Sequence, residues 1–215
     1  MKIRKLLLAS ILGLGVALPA AAGILHPTGF ANGYQVFGLS TGQTVEAGGF
    51  VGTWDTGSGP DPIQFWCAEL SQTFSFNHSY IYNASIPNNA TYTMLGQLFH
   101  EAYAVALSDT EHSAAFQLAI WEILFDPDLN LSGGTFKVTN NHGHGATVTL
   151  AQGWLDNLGS FTDNWDIVHL ANESHQDFIT GIPLRREVPE PAPLALIGVG
   201  IVAMMIASRR RKPAA

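Results

Sequence analysis

The chain has 215 residues, of which 17 are acidic and 10 are basic, and its formal net charge is −7. Residues 23–187 hold sixteen of the acidic residues but only three basic ones, a balance that repels nucleic acid and argues against a nucleic-acid partner. Because there is a single cysteine, Cys67, a disulfide within the chain is excluded.

The first 22 residues have the three parts of a secretory signal peptide. Lys2, Arg4 and Lys5 form a basic start, residues 6–18 are apolar, and the alanines at 20–22 provide a small-residue cleavage site. We therefore expect export, with cleavage after Ala22. The alternative is an N-terminal anchor that is retained. Cleavage leaves a body, residues 23–187, whose length fits one domain.

The first half of the body favours strands. Glycine-rich segments separate short runs of strand-forming residues, and Gly48-Gly49 interrupts one run, as at a bulge or bend. Alternation in the strand predicted from residue 63 puts Phe65 and Cys67 on one face and Trp66 on the other. The predicted strands are residues 34–39, 44–54, 63–70, 74–76 and 80–82, the last two forming a hairpin.

Two helices are predicted in the middle of the body. Apolar spacing predicts the first over residues 92–107, and a capping box of Ser108 and Glu111 starts the second, which runs to about Phe125. The second helix is apolar nearly all round and is expected to be buried. Shorter elements follow, a strand at 135–139, a helix at 150–158 and a strand at 165–170. The predicted fold is α+β, a β-sandwich or barrel-like sheet with a helical insert.

The last 28 residues contain three features in a fixed order. A stiff, extended proline motif at 188–191 precedes an apolar run at 192–208, which just reaches the length of about 17–25 residues that a transmembrane helix needs. The basic residues that follow favour the cytoplasmic side, so the body lies outside the cytoplasmic membrane. The motif is Val188, Pro189, Glu190 and Pro191, and the basic stop is Arg209, Arg210, Arg211 and Lys212.

This tail resembles the PEP-CTERM sorting signal of Gram-negative bacteria. The resemblance covers residues 188–215 and implies that an exosortase in the membrane cuts near the proline motif. An inner-membrane precursor with a transient C-terminal anchor would then reach the cell surface or the extracellular matrix. The resemblance predicts location and not activity, and a plain C-terminal membrane anchor is the alternative.

Two residues in apolar surroundings, Cys67 and Gln117, could react with each other. A thiolate that attacks the carboxamide carbon of glutamine displaces ammonia and leaves an internal thioester, a reaction that needs neither metal nor cofactor. A dry environment would slow hydrolysis of that bond. The aromatic residues predicted to form a dry pocket are Phe65, Trp66, Phe116 and Trp121.

The two segments around these residues resemble bacterial thioester adhesion domains, whose Cys–Gln bond captures a nucleophile such as a lysine amine. The resemblance covers roughly residues 63–125 and implies that Cys67 is the sulfur donor and Gln117 its acyl partner. Phe116 stands where that family has threonine, and the spacing of 50 residues between Cys67 and Gln117 is compact. The similar segments are Phe65-Trp66-Cys67-Ala68-Glu69-Leu70 and Phe116-Gln117-Leu118-Ala119-Ile120-Trp121.

Three other interpretations of the site residues stay open. Cys67 and Gln117 could be packing residues, with the amide bonded to a strand backbone. A cysteine hydrolase would need a histidine beside Cys67. His142 and His144 could bind a metal, although their glycine- and asparagine-rich surroundings favour an exposed turn. The histidines considered for a hydrolase are His78, His100 and His112.

The sequence therefore predicts an exported, exosortase-processed protein of the cell surface or exopolysaccharide matrix. Its expected activity is covalent adhesion through the Cys67–Gln117 thioester to an amine or hydroxyl on a surface or polysaccharide. This is a single acyl transfer rather than enzymatic turnover, and we expect no cofactor and no metal. The alternative function is a non-covalent matrix or carbohydrate-binding module without a thioester.

Overall fold

A computed structural model describes residues 21–162 and 164–184. The predicted sorting motif, transmembrane helix and basic stop, residues 188–215, lie outside the described residues, as do residues 1–20 of the predicted signal peptide. Nearly all described residues belong to one compact unit, Met1–Ile182, and only Pro183 and Leu184 are described in the second, Pro183–Ala215. Among the described residues, no helix is both long and apolar enough to cross a membrane.

The described residues form nine strands, three α-helices and one 3-10 turn. The strands are β1 (Ala21–Phe30), β2 (Gln35–Leu39), β3 (Thr44–Ala47), β4 (Phe50–Asp55), β5 (Asp61–Cys67), β6 (Tyr80–Ser85), β7 (Val138–Asn140), β8 (Trp165–Ala171) and β9 (Phe178–Pro183). The helices are α1 (Ala90–Ala106), α2 (Thr110–Phe125) and α3 (Gly145–Leu155), and the 3-10 turn is Leu158–Ser160.

Six of the strands close into a barrel in the order β1-β4-β5-β9-β8-β6, and β3-β2-β7 form a separate three-stranded sheet. Closure of a barrel removes the unpaired edges that an open sheet would expose. Of the two predicted sheet architectures, the structure has the barrel. The helical insert lies in sequence between β6 and β8, as predicted.

Helix α2 lies at the centre of this arrangement. Every residue from 113 to 123 is buried, as the apolar circumference of the helix predicted. It packs against α1 and α3 and also contacts β2, β3 and β5. Its N-cap is Asp109, whose side chain accepts from the His112 N–H, and not Ser108 as predicted; the Ser108 hydroxyl instead donates to Val105 O at the end of α1.

Gly48-Gly49 is the point at which the chain passes from the small sheet to the barrel. The sequence predicted one interrupted strand over 44–54, whereas β3 and β4 belong to different sheets. A Cβ on Gly48 would lie 2.6 Å from the carbonyl oxygen of Gly33, and one on Gly49 would lie 2.9 Å from Trp66 Nε1. The crossing therefore has no room for side chains at these two positions.

Two barrel strands were missed and one predicted hairpin was wrong. β1 begins at Ala21, two residues before the predicted cleavage point, and contains an irregularity between Pro27 and Gly29 that breaks its alternation. β9 follows a polar segment and includes Gly181 and a terminal proline, so no strand was predicted there. Residues 74–76 are irregular, and Tyr80–Ser85 pairs with β1 and β8 instead.

Smaller shifts in element bounds have local causes. β5 starts at Asp61 and ends at Cys67, three residues earlier than predicted, because the chain turns away after its last pair with β9. α3 starts at Gly145, five residues earlier than predicted, and the strand predicted at 135–139 is the three-residue β7.

Candidate functional site

Cys67 and Gln117 meet where β5 ends. The main-chain N–H of Cys67 donates to Gln117 Oε1, and Gln117 Nε2 donates to the main-chain oxygen of Cys67, both at 2.9 Å. Cys67 is 2% exposed and Gln117 is fully buried. The glutamine carboxamide is therefore held flat against the main chain of the cysteine, with both of its polar atoms bonded.

The strand register explains why an amide is needed here. The last pair between β4 and β5 is Phe50 with Phe65, because the chain leaves the barrel edge at Gly48-Gly49. Cys67 pairs on its other side with Phe178 of β9, but its own N–H and C=O alternate toward the side that β4 has left. Gln117 supplies the donor and the acceptor that the missing strand residue would have given.

Ser113, one turn before Gln117 on α2, bonds to the other strand that separates at the crossing. Its hydroxyl accepts from the N–H of Gly49 at 2.8 Å and is itself buried. The two polar residues on this face of α2 thus satisfy both strand ends that separate at the crossing. The buried helix is fixed against the barrel by hydrogen bonds as well as by apolar packing.

The Cys67 thiol lies in a dry environment. Its sulfur donates to the carbonyl oxygen of Glu69 at 2.6 Å. Burial raises the pKa of the thiol to about 12, and the bond to Glu69 and the nearby Trp121 indole only partly oppose that rise in pKa. The indole N–H of Trp121 lies near the sulfur but makes no geometrically acceptable hydrogen bond among the described residues. At neutral pH the thiol is protonated.

The four aromatic residues predicted to surround the pair are all buried. Trp66 of β5 and Phe116 of α2 meet edge to face at a ring-centroid distance of 5.0 Å. Phe65 packs against Phe178 at 4.9 Å with the other barrel aromatics. Trp121 lies near the sulfur of Cys67.

A cleft of about 480 Å³ opens beside Cys67, and the sequence did not predict it. Cys67 and Trp121 lie in its wall together with aromatic and amide side chains. The wall combines β3, the start of β4 and the irregular segment after β5, which are separate in sequence, so no local pattern marks it. Its other wall residues include Phe30, Phe50, Phe74, Gln43, Gln72 and Gln176.

The histidines considered for a hydrolase are not placed beside the thiol. His112 bonds to Asp109 at the start of α2, and His100 lies 3.4 Å from the Asn164 amide. His78 is exposed in the turn before β6. None of the hydrogen bonds seen in residues 21–162 and 164–184 joins a histidine to Cys67.

The histidine pair at 142–144 lies in a turn, with Asn140 and Asn141 accepting from the N–H groups of His142 and Gly143. A different group has the spacing of metal ligands. Glu122, Asp126 and Asp128 bring their carboxylate oxygens within 4.8 Å of one another at the end of α2. This group was not predicted from the sequence, although an acidic residue inside an apolar helix was a signal for it.

Comparison with known proteins characterises the C-terminal tail alone. Residues 187–212 match the PEP-CTERM protein-sorting motif. No curated protein matches the chain, and no solved structure matches it, so the resemblance of residues 63–125 to thioester domains gains no support from relatives. The tail motif identifies the chain as an exported protein whose membrane-anchored precursor is processed by exosortase.

Proposed function

We propose that this protein is a covalent adhesin that acts through an internal thioester between Cys67 and Gln117. The observation that carries the proposal is the two-point contact of the Gln117 carboxamide with the main chain of the residue that bears the thiol. Both partners are shielded from water, yet the cysteine borders a cleft. A reactive bond needs this combination of protection and access.

The bond forms when the acyl group of Gln117 is transferred from its amide nitrogen to the sulfur of Cys67. The sulfur of Cys67 attacks the carboxamide carbon of Gln117, the C–N bond breaks, and the thiol proton leaves with the amide nitrogen as ammonia. The N–H of Cys67 already donates to Oε1, where negative charge develops during the attack. The raised pKa of the thiol makes this step slow, which a reaction needed once per molecule tolerates.

In the capture step Cys67 is the leaving group, and the target is the nucleophile. An amine that enters the cleft attacks the thioester carbonyl, forms an amide with the glutamine side chain and releases the Cys67 thiol. A hydroxyl forms an ester in the same way. The amide groups in the cleft wall offer hydrogen bonds to a polar target, and the wall aromatics offer contact area.

Intact-mass measurement on the exported protein, whose two ends are first determined by peptide mapping so that its processed sequence mass is known, tests the proposal. The chain should be lighter than its sequence mass by one ammonia, and methylamine should convert it to a form heavier by one methylamine than the thioester form. Cys67→Ala should show neither change, and Gln117→Glu, which has no ammonia to lose, is the matched control. A full sequence mass, with no uptake of methylamine, contradicts the thioester.

A second candidate function is non-covalent binding of matrix polysaccharide in the same cleft. Both polar atoms of Gln117 bond to the main chain of Cys67, which gives this amide a structural role without any thioester. That role favours the second function. Aromatic faces and side-chain amides are suitable contacts for sugars. Polysaccharide retention that survives Cys67→Ala but is lost in Phe74→Ala would favour this function over the thioester.

A further inference from the structure

The acidic group at the C-terminal end of α2 contains a carboxylate with an unused oxygen. Glu122 is fully buried, and its Oε1 accepts from the N–H of Asn130 at 2.7 Å. Its Oε2 makes no hydrogen bond of acceptable geometry among the described residues, although the Asp128 side chain lies near the Glu122 carboxyl. A buried polar atom without a partner costs about 1–3 kcal/mol, and more when charged, so this oxygen needs a ligand.

The Glu122 carboxylate does not stand alone, because those of Asp126 and Asp128 lie beside it. One ligand oxygen from each of the three residues lies within 4.8 Å of the others. The ion pairs present in residues 21–162 and 164–184 join His112 to Asp109 and His169 to Asp177, so none of them neutralises this group. Three carboxylates this close repel one another unless a proton or a cation lies between them.

The loop after α2 holds the other two carboxylates in place. Asp126 Oδ2 accepts from the N–H groups of Thr135 and Phe136, and its Oδ1 accepts from the N–H of Asp128. The loop then closes over the carboxylates at Gly134, where a Cβ would lie 2.6 Å from Asp128 Oδ2. The acidic groups are therefore fixed by the fold rather than free to separate.

The chemistry of the group selects the kind of ion. All three donors are carboxylate oxygens, which hard cations such as Ca²⁺ and Mg²⁺ prefer over softer metals. Ca²⁺ tolerates irregular geometry and mono- or bidentate carboxylates, whereas Mg²⁺ demands a near-ideal octahedron. The negative end of the α2 dipole points at the same place and favours a cation further.

We propose that Glu122, Asp126 and Asp128 form a Ca²⁺ site that fixes the C-terminal end of α2. The ion would take up the unpartnered Glu122 Oε2 and remove the repulsion within the group. Because α2 also carries Gln117, the site would stabilise the helix that meets β5. The proposal does not depend on the thioester and holds equally for a non-covalent binding module.

Calcium titration of the full chain, purified in detergent and freed of metal with a chelator, tests the site. Extracellular Ca²⁺ modules bind with Kd of about 10⁻⁴–10⁻³ M, so 10 mM CaCl₂ should raise Tm by about 3–10 °C. Calorimetric titration should give one ion per chain. Equal concentrations of MgCl₂ should produce a smaller rise in Tm.

Two variants separate the site from a general salt effect. Asp128→Asn changes an exposed side chain and keeps an oxygen that can accept from the N–H of Asn130, and it should abolish the rise in Tm. Glu122→Gln should abolish it as well and leave the metal-free protein at least as stable, since it removes a buried charge. Glu101→Gln, at an exposed position on α1, is the control and should retain the full response.

The opposite results would overturn the proposal. No saturable response in the unaltered protein at 10 mM CaCl₂, or an equal response in Asp128→Asn, would mean that Glu122 is simply protonated in a group without an ion. Burial, together with the charges of Asp126 and Asp128, raises the pKa of Glu122 to about 8, which is the state expected in that case. A larger response to Mg²⁺ than to Ca²⁺ would overturn the choice of ion.

Discussion

Gln117 takes the place of a strand partner for Cys67. Its carboxamide returns both hydrogen bonds that the cysteine main chain would exchange with β4, had the chain not turned away at Gly48-Gly49. This one contact serves two purposes that can be separated by experiment. It completes the main-chain hydrogen bonds at the end of β5, and it places an acyl carbon beside a residue with a thiol.

The structural purpose predicts a large loss of stability in Gln117→Ala. The change leaves a buried N–H and a buried C=O unpaired, each worth about 1–3 kcal/mol, so the free energy of unfolding should fall by about 2–6 kcal/mol. Urea unfolding measures it, in a Cys67→Ala background so that no thioester contributes. Gln43→Ala, at an exposed amide, is the control and should lower it by less than about 1 kcal/mol. Equal losses in the two variants would contradict the capping role.

Ser113→Ala tests the second hydrogen bond from α2 to the crossing, which Ser113 accepts from the N–H of Gly49. The variant leaves the N–H of Gly49 without an acceptor in a buried position, and we expect a loss of about 1–3 kcal/mol in the free energy of unfolding. Ser160→Ala removes a hydroxyl whose bond to Asn157 O is exposed, and it should change stability by no more than about 0.5 kcal/mol. A neutral Ser113→Ala would show that the crossing at Gly49 does not need this helix.

The parts of the site that could be predicted from the sequence are those marked by residues close together in the chain. The buried character of α2 could be predicted from its apolar circumference, and Gln117 was conspicuous because it interrupts that surface. The amide-to-backbone bond was one of the open interpretations of Gln117. The separation of β3 from β4 could not be predicted, because two glycines mark a break without saying which sheet each strand joins.

The parts that were missed depend on contacts distant in sequence. β9, which pairs with Cys67 through Phe178, follows a polar segment and is short, so only its neighbours in the barrel define it. The cleft combines segments that are more than 100 residues apart, such as Phe30 and Gln176. Glu122 was a local signal, but its meaning depended on the loop that brings Asp128 back toward the helix.

The buried thiol predicts a loss of stability at high pH in chains whose mass shows a free Cys67. The unfolded chain releases the thiol proton near pH 9, whereas burial raises the pKa of the folded thiol to about 12. Below pH 9 both states hold the proton, so the contribution of Cys67 to stability is fully present. Between pH 9 and 12 only the unfolded state releases it, and the free energy of unfolding should fall by about 1.4 kcal/mol per pH unit.

The matched measurement compares urea unfolding of this protein and of Cys67→Ala at pH 7 and pH 10. Tyr82 is buried and Tyr92 is half-buried, each with a pKa raised by desolvation, and both remain in the variant, so the difference between the two proteins isolates the thiol. Alkylation of the folded protein at pH 8.5 should be about a thousandfold slower than that of the unfolded chain. Similar alkylation rates in the two states would contradict a dry, protonated thiol.

Alanine should have opposite effects on stability at Gly49 and at Gly153. Gly49 lies against the Trp66 indole, whereas Gly153 has open space around its Cα. Gly49→Ala drives a methyl group to within 2.9–3.1 Å of the Trp66 indole, which three aromatic rings, those of Phe99, Tyr103 and Phe116, hold in place. The indole cannot move without repacking those rings, so we expect a loss of about 1–3 kcal/mol in the free energy of unfolding. Gly153→Ala, inside α3 with no atom within 4 Å of the new methyl group, should instead gain about 0.5–1 kcal/mol from reduced backbone freedom. Urea unfolding followed by tryptophan fluorescence measures both, and a Gly49→Ala protein as stable as Gly153→Ala would mean that the indole is not fixed at the crossing.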